Sequence, residues 1–312
     1  MIKKRNWNEG RGSIVSYVIL LITLFFLSLK GYCGKKTSTY VNSSRDSVFF
    51  NLLRFLICIV IGLIVVWRQD AQAYLSIDGR MVALCLFAGI SNAAFVVGWM
   101  MAIERNPLVT VDVTLTLGSI IPAVLCAILF FEPILPQKLL GFGIIVLASV
   151  VLSGHHTGVG TKRSLGSIIV LVIAVAGDGF TAFCQQLYGR FASEYPKSVY
   201  HFYTYVFSSL ALILCLGYLR LRSPEKRTTI PIRKPLPHIV IMALCLFAAN
   251  YLQTVLSGDY AMPSQILYPA IKGGCLITVN LTAMLFFGEK PTKFSILGSL
   301  LALAGIVAIN AL

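Results

Sequence analysis

The sequence predicts an all-α integral membrane protein with ten transmembrane helices in two inverted five-helix repeats. Three observations predict it. The chain of 312 residues is 57% hydrophobic and only 12% charged, whereas soluble domains carry roughly 25% charged residues; its mean hydropathy is +0.82. Uncharged runs long enough to cross a bilayer, about 20 residues each, recur from one end to the other. The two halves also echo one another in sequence.

The spans fall at 13–31, 46–67, 81–103, 108–131, 137–154, 164–188, 198–221, 236–257, 262–287 and 291–311. The first follows a basic leader, Lys3-Lys4-Arg5, but Leu27-Ser-Leu-Lys-Gly-Tyr-Cys33 lacks the small residues of a cleavage site, so it reads as a true span. The second opens on Ser47-Val48 and the seventh on Ser198-Val199. The third carries no charge over 81–103, and the fourth none over 113–131. The sixth holds one acid, Asp178, and the ninth one base, Lys272. Each span is too long for a strand and lacks strict alternation, so helix is expected throughout. A β-barrel would show alternating segments of about 10 residues. The spans use most of the chain and leave no room for a soluble domain.

The internal echo sets the domain organisation. Residues 83–89 read Ala-Leu-Cys-Leu-Phe-Ala-Gly, and residues 243–249 read Ala-Leu-Cys-Leu-Phe-Ala-Ala. Leu129-Phe-Phe131 before Glu132 parallels Leu285-Phe-Phe287 before Gly288 and Glu289. Chance matches are common among apolar helices, but these and the Ser-Val pairs fall at corresponding places. The repeats are therefore expected at 10–155 and 164–312. An odd number of crossings per repeat makes the second enter the bilayer from the opposite side. Inverted repeats of this kind mark secondary transporters, with the substrate near the midplane.

The net charge of +14 lies largely in connections, including Arg220, Arg222, Lys226, Arg227, Arg233 and Lys234. Basic loops are ordinary in membrane proteins, so no nucleic-acid partner is expected. None of the eight cysteines forms a CxxC pair. Most sit in apolar spans as small hydrophobes, which argues against a disulfide framework or a metal site. No P-loop, hydrolase elbow or metal-ligand cluster occurs, and His155-His156 has no evident partners. Neither an enzyme, nor an ATP-driven pump, nor a cofactor is expected.

Longer stretches carry a family resemblance. They are Asn51-Leu-Leu-Arg-Phe-Leu, Gly118-Ser-Ile-Ile-Pro-Ala-Val-Leu, Phe130-Phe-Glu-Pro, Lys138-Leu-Leu-Gly-Phe-Gly-Ile-Ile-Val-Leu-Ala-Ser, Leu285-Phe-Phe-Gly-Glu-Lys-Pro-Thr and Ile296-Leu-Gly-Ser-Leu-Leu-Ala-Leu-Ala-Gly-Ile. In these the chain resembles the drug/metabolite transporter superfamily, in its EamA-type branch, over nearly its whole length. The resemblance implies a ten-helix permease with two inverted halves around a central cavity; it names no substrate. One departure is Phe131 before Glu132, where the family pattern has Gly, so that turn is expected to differ.

Charged and polar residues within apolar spans are the candidate site, because such groups are costly in a bilayer and usually functional. Lys272 lies about ten residues into its span, too deep for easy snorkelling; it either binds a substrate anion or forms a structural ion pair. Tyr268, four residues earlier, shares its face, and Gly273-Gly274 leave room for a backbone or a ligand. Asp178, flanked by Gly177 and Gly179, which are expected to loosen the helix, either couples a proton, meets a substrate amine or neutralises Lys272. Lys30 is expected to snorkel from the end of the first span or to face the cavity. Arg54 either packs between helices, lies at headgroup level or touches substrate. His201 starts a stripe with Thr204, Tyr205 and Ser208, and is either a coupling group or an interfacial histidine. Asn92 and Asn250 bond a neighbouring helix, a water or the ligand. Tyr203, with Tyr188, Tyr251 and Trp99, lines a cavity or forms an aromatic belt. Glu132 and Glu289 read as structural, and Asp112 and Asp259 as ambiguous span-end acids.

The leader and the family resemblance put both termini in the cytoplasm. The loop charges, dominated by residues 222–235, favour the opposite orientation. The expected location is a bacterial plasma (inner) membrane, as a multi-pass monomer or homodimer. The expected function is secondary active transport of a small anionic or zwitterionic organic metabolite by alternating access, with H+ or Na+ as the coupling ion. The alternatives are a proton-coupled exporter of cationic or amphipathic compounds built on Asp178, and a non-transporting scaffold in which Lys272 and Asp178 stay locked together.

Overall fold

The computed structural model describes residues 11–41, 43–105, 108–131, 136–154, 165–222, 232–287 and 293–310. The basic leader, Glu132, Glu289, His155-His156 and most of the 222–235 segment lie outside them. Every long element among the described residues is helical: α1 Arg11–Ser38, α2 Ser44–Arg68, α3 Gly79–Arg105, α4 Leu108–Thr116, α5 Ile120–Phe130, α6 Pro136–Gly154, α7 Leu165–Phe191, α8 Lys197–Arg222, α9 Leu236–Gly258, α10 Ser264–Phe287 and α11 Lys293–Asn310. Seven helices, α1 to α3 and α7 to α10, are long and apolar enough to cross a membrane, and shorter apolar helical stretches lie at Thr114–Phe130, Leu139–Ala148 and Ile296–Ala308. Large apolar side chains such as Leu214, Phe25 and Leu285 point outward. Such a surface suits hydrocarbon, not water, and is that of a multi-pass membrane protein.

Local chemistry places the helix ends. Ser43 caps α2 by accepting the Asp46 N–H at 3.2 Å, and Arg68 stands in its last turn; both complement the helix dipole. Asp78, just before α3, accepts the Met81 N–H at 2.8 Å. The first helix runs seven residues beyond the predicted span end at residue 31. Lys30 therefore lies well inside α1, 8% exposed, and is not a snorkelling end residue.

The fourth predicted span is not one helix. It breaks at a 3-10 turn, Leu117–Ser119, between α4 and α5. Pro122 has no N–H to offer the Gly118 carbonyl, and the Ser119 hydroxyl donates instead to the Thr116 carbonyl at 2.6 Å. At the end of α5, Phe131 takes the left-handed conformation (φ 53°) that glycine adopts at low cost; the turn after it lies outside the described residues.

The longest packing interfaces join α6 to α11, α3 to α7, α1 to α9, α2 to α8 and α3 to α8; α10 packs on α11, α4 and α1. Close approach of α7 explains its two central glycines. A Cβ on Gly177 would lie 2.6 Å from the Phe95 nitrogen and the Ser91 carbonyl of α3, and one on Gly179 would lie 2.6 Å from the Gly118 carbonyl. These glycines seat α7 against two backbones; α7 is continuous through them and not loosened. Gly273 and Gly274 likewise meet Ile306 and Leu24, so they serve packing and not open space beside a ligand.

Three connections meet on one side of the molecule. Arg80 bonds Asp78 at 2.8 Å and reaches Glu194 at 3.4 Å, the Asp78 N–H donates to the Tyr195 hydroxyl, and Lys197 pairs with Asp259 at 2.8 Å. The turns at 69–78, 192–196 and 259–263 are thereby tied together. Asp259, ambiguous in sequence, belongs to this surface network.

Candidate functional site

A cavity of about 70 Å³ lies where α1, α3, α4, the 3-10 turn, α7, α9 and α10 converge. α7 contributes Asp178, Thr181 and Gln185, and α10 contributes Tyr268, Lys272 and Cys275. From α1 come Lys30 and Gly31, and from α3 come Asn92, Phe95 and Trp99. The broken helix supplies Asp112, Gly118 and Ser119, and α9 supplies Asn250 and Gln253.

The strongest contact in the site is the ion pair of Lys272 Nζ with Asp178 Oδ2, 2.5 Å apart, their side chains 18% and 16% exposed. Its position follows from the fold. Gly177 and Gly179 pin α7 on either side of Asp178. Gly118 leaves space for the carboxylate, since a Cβ there would stand 3.0 Å from Asp178 Oδ2. Tyr268, one turn before Lys272, donates to the Ala182 carbonyl at 2.6 Å and so ties α10 to α7.

The opposite wall is organised around Lys30. Its ammonium sits 5.3 Å from the Phe95 ring centre and 5.1 Å from that of Trp99, a cation–π arrangement. Trp99 hydrogen-bonds the Asp112 side chain, and Asp112 is an electrostatic neighbour of Lys30, Lys272 and Asp178. Asn250 Nδ2 donates to the Tyr205 hydroxyl at 3.1 Å, and Asn92 Nδ2 to the Ser208 hydroxyl at 3.5 Å. Both amides thus use one end to hold α8 and present the cavity with the rest.

Of the residues singled out in sequence, the structure brings Lys272, Asp178, Lys30, Tyr268, Asn92 and Asn250 to one cavity. Three others stand elsewhere. His201 lies behind the wall, 2% exposed, bonded to Thr254 Oγ1 at 3.0 Å among the rings of Tyr200, Tyr205, Phe247 and Tyr251. It is a buried, hydrogen-bonded group outside the cavity lining. Tyr203 is outside: its hydroxyl donates to the Leu75 carbonyl at 2.6 Å, fastening α8 to the turn after α2. Arg54 also lies outside the lining and is 1% exposed. Sequence reading missed Asp112, Gln185 and Gln253 as lining residues. A span drawn as one helix from residue 108 makes Asp112 an end residue, whereas in the fold it lies within α4 and lines the cavity. Among the described residues no cluster of three His, Cys, Asp or Glu side chains could hold a metal.

No family model and no curated protein sequence matches the chain. Solved structures do match in shape. One, described only as a crystal structure of protein, superposes with a TM-score of 0.72 at 14% identity, covering 95% of this chain and 96% of its own. At that identity the likeness shows a shared fold and carries no function.

Proposed function

We propose that the chain is a secondary active transporter of a small polar organic metabolite, anionic or zwitterionic, resembling the EamA-type drug/metabolite transporters. The observation that carries this reading is a cavity with four charged side chains in its lining, among helices whose outer faces are apolar. Buried charges within a membrane domain mark pathways and proton relays. A cavity of about 70 Å³ holds a few waters or a small polar group, so it fits a closed state that must open to exchange its content.

The helix pairings support two inverted repeats and ten crossings, with α4 and α5 counted as one broken span. Exchanging the halves maps α3 on α7 to α9 on α1, and α3 on α8 to α9 on α2. The pairs α2 with α8 and α6 with α11 map onto themselves. The broken span and α10 occupy matching places: one breaks at Leu117–Ser119, and the other contains Pro269 three residues before Lys272. Discontinuous or weakened helices at the midplane are where such transporters bind cargo. The location fits a bacterial plasma membrane, and Asp178 and Asp112 are the groups able to carry a coupling proton.

One observation favours a second reading. The Lys272–Asp178 pair is closed at 2.5 Å, as in a static membrane scaffold that never releases it. Proteoliposome uptake separates the two. Labelled carboxylates, amino acids, sugar phosphates and organic cations would be offered with and without a proton or sodium gradient. Gradient-driven uptake that falls at least tenfold in Lys272→Gln is expected. No uptake of any class would leave the scaffold reading standing.

A further inference from the structure

The four charged side chains of the cavity lining form two sets of different kinds. Lys272 and Asp178 are in direct contact. Lys30 and Asp112 line the same cavity of about 70 Å³, yet neither makes an ion pair with the other or with another described residue. They meet one indole instead. The Lys30 ammonium stands 5.1 Å from the Trp99 ring centre, and the Asp112 carboxylate accepts a hydrogen bond from Trp99, whose ring has a single N–H to give. Trp99 is itself fixed. It is 2% exposed, and a Cβ on Gly34 of α1 would lie 2.2 Å from its ring. One rigid ring thus holds a cation by its face and an anion by its N–H, and the two charges do not close on each other.

Asn92 is the second observation. It lies two turns before Trp99 on the same face of α3, is 1% exposed and lines the cavity. Its Nδ2 donates to the Ser208 hydroxyl at 3.5 Å, whereas its Oδ1 has no donor among the described residues. A buried acceptor of this kind calls for a donor. Charge balance narrows the choice. Lys30 and Lys272 cancel Asp112 and Asp178, the other charged members of the lining. A bare anion or a bare cation would therefore bring an uncompensated charge into the membrane interior, which is costly. A molecule carrying both charges would not.

Resting on the transporter reading above, we infer that Lys30 and Asp112 form a split subsite for a small amino acid, whose carboxylate meets Lys30 and whose ammonium meets Asp112 and the Asn92 carbonyl oxygen. An ammonium has three donors, enough for both acceptors. The Lys272–Asp178 pair is already closed, so it is the neutral neighbour of this subsite and not the anion holder.

The test is thermal unfolding of the purified full-length protein with glycine or L-alanine, beside the two halves of glycine, acetate and methylammonium, all at equal ionic strength. A ligand that binds the folded state raises the midpoint by mass action. Glycine and alanine are expected to raise it, and neither half should do so at the same concentration. The shift should vanish in Lys30→Gln and in Asp112→Asn, and persist in Lys272→Met/Asp178→Asn. An amide at position 112 can still accept the Trp99 N–H, so a shift lost there reads the charge and not the fold. Comparing the halves needs no variant, so misfolding of either one leaves the subsite testable. The subsite is overturned if neither amino acid shifts the wild type, or if acetate or methylammonium alone matches glycine. A shift that survives undiminished in Lys30→Gln or Asp112→Asn, as general stabilisation by an osmolyte would, also overturns it. So does a shift that disappears in the double variant, because the closed pair would then take part. Glycine that stabilises the protein with the expected pattern but never enters proteoliposomes keeps the subsite and rejects transport. Gradient-driven uptake untouched by Lys30→Gln and Asp112→Asn keeps transport and rejects the subsite.

Discussion

The two halves of the chain contribute to the cavity in opposite ways. The second half supplies Asp178 and Lys272, which cancel one another across α7 and α10. The first half supplies Lys30, whose ammonium lies over the Phe95 and Trp99 rings, and Asp112, which Trp99 hydrogen-bonds. Its span through the cavity is broken at Leu117–Ser119, whereas α10 runs on through Pro269. One half thus presents a closed ion pair and the other a cation held by aromatic rings.

The largest expected effect comes from unbalancing the closed pair. Asp178→Asn leaves the Lys272 ammonium buried and unpaired, which costs about 3–5 kcal/mol of stability. Lys272→Met added to Asp178→Asn should recover most of that loss, because no buried charge is then left unpaired. Chemical unfolding in detergent reads both. If the single and double variants are equally unstable, the pair is not the unit that the geometry indicates.

Gly177 tests the frame that holds the pair. A methyl group there meets two α3 backbone atoms at 2.6 Å, and neither backbone can move aside as a flexible side chain could. Gly177→Ala should cost about 1–3 kcal/mol by overpacking. Gly217→Ala on α8, where nothing lies within 4 Å, should not destabilise and serves as the control. Equal behaviour of the two would mean that α3 and α7 are not in backbone contact.

These contrasts also show what the sequence could and could not reveal. Lys272, Asp178 and Lys30 were legible because a charge in an apolar span stands out, whatever the fold around it. The helical class followed from run length alone. The break at Leu117–Ser119 was not legible as a break, since Gly118-Ser119 with Pro122 also suits an uninterrupted crossing; in the fold, Gly179 of α7 packs closely against the Gly118 carbonyl there. Asp112 was lost with it. Tyr203 and His201 failed as cavity residues for a related reason. His201 was read in a stripe with Thr204, Tyr205 and Ser208 and Tyr203 apart from it, but which neighbour each meets, Thr254 or Leu75, is set by tertiary packing.

A smaller contrast lies at the ends of the cavity spans. Phe131 holds the left-handed conformation, fully in solvent or headgroups at 88% exposure, where the matching place in the second half carries Gly288. A left-handed residue with a Cβ costs about 1–2 kcal/mol. Phe131→Gly should therefore stabilise the protein by about 1 kcal/mol despite the extra freedom glycine has when unfolded. A loss of stability instead would show that the ring makes a contact worth more than the strain.

The smallest effect concerns the first turns of α3 and α9. The latter starts at Pro235 with no side-chain cap, whereas α3 is started by Asp78. Hydrogen bonds from the Met81 N–H and from Arg80 hold the Asp78 carboxyl below the ordinary range. A carboxylate with a depressed folded pKa adds stability that is present above its unfolded value, about 4, and is lost as pH falls through the lower folded value. The unfolding midpoint of the wild type should accordingly drop on the acid side, and Asp78→Asn should flatten that limb while changing little at neutral pH. The amide can still accept the Met81 N–H, but it carries no charge for Arg80, so the difference isolates the charged part of the cap. Because Arg80 is 74% exposed, salt should shrink the effect further. Parallel acid limbs for wild type and variant would place the pH sensitivity elsewhere, and the carboxylates of the cavity would be the next groups to substitute.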